Sequence, residues 1–115
     1  EGEKYSDVPP LRDGGTSEYF SPSDIFGISY GQSMLMAVAV LGKHKGIDIT
    51  GATCELKKST HPEPKRIGTI FCIVRIPGEY TPEQKKFIEH TALNCPVSLS
   101  IHPNVQRTVL FEYGL

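Results

Sequence analysis

Residues 30–41 read YGQSMLMAVAVL, and from Met34 to Leu41 no side chain is polar. Such a run must be buried whatever it forms, since each Å² of apolar surface left in water forfeits roughly 25 cal/mol. It is apolar nearly all round, which predicts a central helix covered on most sides. Gln32 and Ser33 enter this run as a polar pair. They are either packing residues with incidental hydrogen bonds or part of a binding or reaction centre.

The helix has clear ends. Ser21 suits the cap, Pro22 the first helical position, and Asp24 places a carboxylate where the helix dipole favours one. The pattern continues to about Lys45, with Lys43, His44 and Lys45 complementing the dipole before Gly46 stops the helix. Gly27 and Gly31, one turn apart, predict close approach by another backbone. Residues 1–20 hold two adjacent prolines, two adjacent glycines and little periodicity, so they read as an extended arm or loop.

Two strand candidates follow, DITGATCELKK and RIGTIFCIVRIP, separated by a turn at STHPEPK. They read as a hairpin, with Cys54 and Cys72 as small core residues within it. A second helix opens at YTPEQKK, where Thr81 caps, Pro82 takes the first position and Gln84 completes a capping box. Phe87, Thr91 and Cys95 share a face with Ile88 and Ala92 beside them, so that face turns to the core. Pro96 breaks the helix and CPVSLSI forms a new short turn. In VQRTVLFEY, Val105, Val109, Phe111 and Tyr113 alternate with Gln106, Thr108 and Glu112, the pattern of a closing strand. Helix, two strands, helix and strand give a single α+β domain, residues 1–115, with an antiparallel sheet on the long helix.

Composition excludes some functions. A formal net charge of −1 gives no argument for nucleic-acid or membrane-surface binding. No uninterrupted apolar run approaches the ~20 residues of a membrane span. Three cysteines without C-x-x-C spacing fit free thiols in a reducing, cytoplasmic setting. His44, His61, His90 and His102 are scattered, and no pair has helical ligand spacing, so neither a metal nor a cofactor is expected.

Cys95 differs from the other thiols by its place at the start of a helical turn, where thiols shift toward the reactive thiolate. Its segment, CPVSLSIHPNV, resembles the "CPV…S…HP.V" segment of the OsmC/Ohr family, named for osmotically inducible protein C and organic hydroperoxide resistance protein. FSPSDIF resembles the start of that family's long helix, "sPtDLl…C", and VQRTVLFEYGL resembles its last strand. The resemblance covers about residues 5–115. It implies an α+β fold in which two central helices pack between the sheets of an intertwined homodimer. It also implies thiol chemistry. One cysteine in the long helix attacks the O–O bond of a hydroperoxide and becomes a sulfenic acid. The cysteine of the "CP" motif condenses with it to a disulfide, and an external dithiol reduces both.

Aligned on Pro22 and Phe26, the reactive cysteine falls at Ser33, and the second cysteine at Cys95. Serine forms no ready thiolate and has no sulfenic state. The family carboxylate falls at Ser23, with Asp24 beside it. The arginine partner comes from strands upstream of this chain's first residue, and Arg12 does not match it. Members carry about two to three further strands before the YSDV region, which implies that EGEKYSDVPP continues a longer chain. The implied function is that of a hydroperoxide-detoxification protein, inactive as a peroxidase because of Ser33. In that case Ser33 replaces a natural cysteine. The alternative is a natural non-catalytic dimer binding a small apolar ligand at its interface. A serine hydrolase centred on Ser33 is disfavoured, because no G-x-S-x-G turn and no base surround it.

Overall fold

The computed structural model describes residues 21–114. The reading of residues 1–20 as an arm, and Arg12 within it, lies outside the described residues. Helix α1 spans Pro22–Gly42 and tightens into a 3₁₀ turn at Lys43–Lys45. It begins with a full capping box: the Ser21 hydroxyl accepts the Asp24 N–H, and the Asp24 carboxylate accepts the Ser21 N–H at 3.0 Å. Gly46, at φ +68°, takes the left-handed conformation that ends it.

Strands β1, Thr53–Pro62, and β2, Lys65–Ile76, form the expected hairpin, but it is displaced along the sequence. Asp48 accepts both the N–H and the hydroxyl of Thr50, and Gly51 has φ +90°, so residues 48–52 form a loop rather than the start of β1. Pairing then runs on through residues first read as turn, ending at Pro62 opposite Lys65.

Helix α2, Pro82–Leu93, starts with the Thr81–Gln84 capping box. A single turn, α3, covers Pro96–Leu99, and β3 covers Gln106–Tyr113. The sheet order is β1-β2-β3, with β1 antiparallel and β3 parallel to β2. The sheet is therefore mixed, not antiparallel throughout. Parallel strands need a crossover connection, and α2 with α3 supplies one by carrying the chain back before β3 begins.

The core joins Tyr30, Met34 and Val38 of α1 to Ile70, Cys72, Val74 and Ile76 of β2, with Ile88 and Ala92 of α2 and Cys95 closing it. The α1 helix is not covered on most sides. Ile25, Met36 and Val40 remain 57%, 57% and 58% exposed, because the sheet lies against one face and α2 with α3 against its flank. By length and composition Pro22–Lys45 would also suit a membrane span, since isolated polar residues do not offset its hydropathy. Within this domain one face of the helix enters the core, with Met34 fully buried in the cluster it shares with β2 and α2. The two α1 glycines also separate. A Cβ on Gly31 would lie 3.2 Å from both Cys54 Sγ and Leu56 Cδ1, whereas one on Gly27 would meet nothing within 4 Å. The close neighbours at Gly31 are therefore side chains of β1.

Candidate functional site

Cys95 is 1% exposed and caps α3: its Sγ accepts the Ser98 N–H at 3.5 Å. Pro96 sets the first helical φ behind it. Ser98 is buried, and its hydroxyl donates to the Leu93 carbonyl at 2.8 Å, tying α3 to the end of α2. Arg107 of β3 donates through Nη1 to the Ser98 carbonyl at 2.7 Å and to its Oγ at 2.9 Å. Tyr30 of α1 reaches the same group. Burial raises its phenol above the ordinary value, while the Ser98 hydroxyl and the Arg107 guanidinium oppose that rise. Cys95 is thus held in a fixed turn, one residue removed from a guanidinium.

Ser33 follows Tyr30 by three residues, so it lies on the same side of α1, and it is half-buried. A hydroxyl at this position has no sulfenic state. Ser23 and Asp24, the carboxylate-position candidates, are placed elsewhere. The Asp24 carboxylate completes the helix cap and pairs with Lys58 of β1 at 3.1 Å, and Ser23 meets the Ser21 hydroxyl at 3.2 Å. Both line a small cleft of about 310 Å³ against β1, which includes neither Ser33 nor Cys95. The Ser21 backbone N–H, then Lys58, holds the Asp24 carboxyl below its ordinary value, in keeping with a structural cap.

The family model of OsmC-like proteins matches residues 14–109. The chain belongs to the OsmC family. Its fold superposes on solved members. One, from Psychrobacter arcticus, is described as an osmotic stress induced and detoxification response protein. It is 31% identical with a TM-score of 0.81, covering 89% of this chain and 74% of that one. An OsmC-like protein of Mycoplasma pneumoniae is 17% identical with a TM-score of 0.77, covering 90% and 79%. An organic hydroperoxide resistance protein of Elizabethkingia anophelis is 19% identical with a TM-score of 0.72, covering 88% and 74%. The last two likenesses concern the fold. Among curated proteins no match is found.

Tyr30, Ser98 and Arg107 were not singled out by the sequence reading of this OsmC-family chain. Arg107 had a legible signal. It occupies the same phase of β3 as Val105, Val109, Phe111 and Tyr113, and it pairs with Ile70, which is buried. An arginine on the apolar phase of a strand breaks the pattern, and although Arg107 is exposed its guanidinium reaches the buried Ser98.

Proposed function

We propose that this chain is an OsmC-family protein of the hydroperoxide-detoxification type whose family centre is silent, because Ser33 stands where relatives carry the attacking thiol. One observation carries this reading: Cys95 sits in a preformed buried turn, while the α1 position aligned with the family's attacking cysteine is Ser33, a half-buried hydroxyl. The centre would act in a homodimer. The exposed stripe of Ile25, Ile28, Met36 and Val40 supports that assembly, since a second copy would remove it from water. The three unpaired thiols support a reducing, cytoplasmic setting, and an external dithiol is the partner of the family chemistry.

The test is consumption of an organic hydroperoxide with a dithiol reductant, followed by mapping of the thiols. The expected result is that Cys95 stays reduced throughout. Sustained consumption accompanied by oxidation of Cys95 contradicts the proposal.

A second reading is a module that binds a small apolar ligand. It is favoured by a cleft of about 1020 Å³ between α1, the loop after it and β1, lined by Ile28, Leu35, Met36, Ile47 and Leu56 among others. Retention of an apolar molecule through purification, seen by native mass spectrometry, would support it.

A further inference from the structure

Cys54 and Cys72 were read as inert core residues, but the fold brings them together. Across the β1–β2 ladder Cys54 faces Val74 and Leu56 faces Cys72, so the two cysteines are diagonal neighbours on the face turned to α1. Above them is Gly31, whose missing side chain leaves room for the Cys54 sulfur. The two thiols differ in access. Cys54 is half-buried and lines the apolar cleft of about 1020 Å³, while Cys72 is fully buried.

We propose that Cys54 and Cys72 form a second thiol pair, oxidised to a disulfide by apolar organic hydroperoxides that enter the cleft beside α1. The pair is separate from the family centre. Gly31, which contacts Cys54, and Ser33 point about 200° apart around α1. Their environments divide the work. The hydrogen bond with Cys72 holds the Cys54 thiol below its ordinary value, whereas that contact, then burial, pushes Cys72 up. Cys54, which lines the cleft, is the sulfur an entering peroxide can reach, and the fully buried Cys72 is the one that follows.

The Cys54 thiolate attacks the distal peroxide oxygen and the O–O bond breaks. The alkoxide leaves, takes a proton and becomes an alcohol, with Cys54 left as a sulfenic acid. The Cys72 sulfur then attacks the Cys54 sulfur, its proton joins the departing hydroxide as water, and the S–S bond forms. The two thiols lose two electrons and the hydroperoxide gains them. Diagonal cross-strand Cα atoms lie roughly 7–8 Å apart, just outside the ~4.4–6.8 Å of relaxed disulfides. The bridge must therefore shift β1 locally along β2, and an external dithiol can reopen it.

The proposal takes only its oxidant class from the preceding reading. Oxidation of Cys95 reports on the family centre, and a 54–72 bridge reports on this pair. The chain is treated with equimolar cumene hydroperoxide and mapped without reduction. The expected result is loss of two of the three thiols, a linked Cys54–Cys72 peptide pair and free Cys95. In Cys72→Ser, Cys54 should stall as a sulfenic acid trapped by dimedone; in Cys54→Ser, Cys72 should stay reduced. If Cys72→Ser does not fold, the unsubstituted chain still decides. Three reduced thiols, a bridge involving Cys95, or Cys54 oxidised beside a free Cys72 would each overturn the proposal.

Discussion

Replacing Gly31 with alanine tests whether β1 presses on α1 where the structure places it. An alanine in a helix interior gains ~1 kcal/mol over glycine. Against this, the new Cβ would lie 3.2 Å from Cys54 Sγ, 3.2 Å from Leu56 Cδ1 and 3.4 Å from Cys54 Cβ. Leu56 Cδ1 is the end of a flexible, half-buried side chain and can rotate away. Cys54 cannot yield as easily, because its sulfur is backed by Cys72 and its Cβ is fixed to a paired strand. Overpacking of this kind costs ~1–3 kcal/mol, so Gly31→Ala should be destabilised by roughly 0–2 kcal/mol net. Gly27→Ala is the internal control. Its Cβ meets nothing within 4 Å, so only the helix gain remains and the variant should be more stable by ~1 kcal/mol. Urea unfolding at one fixed protein concentration should therefore separate the two by ~1–3 kcal/mol. Equal stability, or a more stable Gly31 variant, would show that β1 does not sit against this turn of α1.

Met34→Ala should lose ~2–5 kcal/mol by the same measurement, because Met34 is fully buried, while Met36→Ala in the free chain should change little. Asp24 supplies a pH dependence: its carboxyl titrates below the ordinary 3.8, so its stabilisation is present above that pH and lost as pH falls through the lowered value. Thermal unfolding of Asp24→Asn should accordingly show a deficit at neutral pH that closes toward strong acid. Charges introduced by Met36→Lys with Val40→Lys should weaken self-association at least ~10-fold in sedimentation, a change of ~1.4 kcal/mol; unchanged association would place the dimer surface elsewhere.

The ends of the helices were legible because they are written locally, in Ser21-Pro22-Ser23-Asp24, Thr81-Pro82-Glu83-Gln84 and Gly46, where cap chemistry depends on neighbours in sequence. The parallel pairing of β3 was not. Strand direction depends on where α2 and α3 leave the chain, and no residue of QRTVLFEY records that. The start of β1 was missed because the β-favouring Ile47 and Ile49 are spent on the core while Asp48 and Gly51 bend the backbone into a loop. At the site, Cys95 was legible as a cap and Ser33 as a polar interruption. The grouping of Tyr30, Ser98 and Arg107 needed three separate elements to meet. The Cys54–Cys72 diagonal likewise depends on a register that the two strand sequences do not specify.

The most direct test is Ser33→Cys. If position 33 is the family's attacking position, its thiol lies within reach of Cys95, with Cα atoms roughly 4.4–6.8 Å apart after modest local movement. Treatment of this variant with a hydroperoxide, followed by peptide mapping without reduction, should give an intramolecular 33–95 disulfide absent from the unsubstituted chain. A variant in which Cys95 stays free, or bridges only to Cys54 or Cys72, would contradict the placement of Ser33 at the centre.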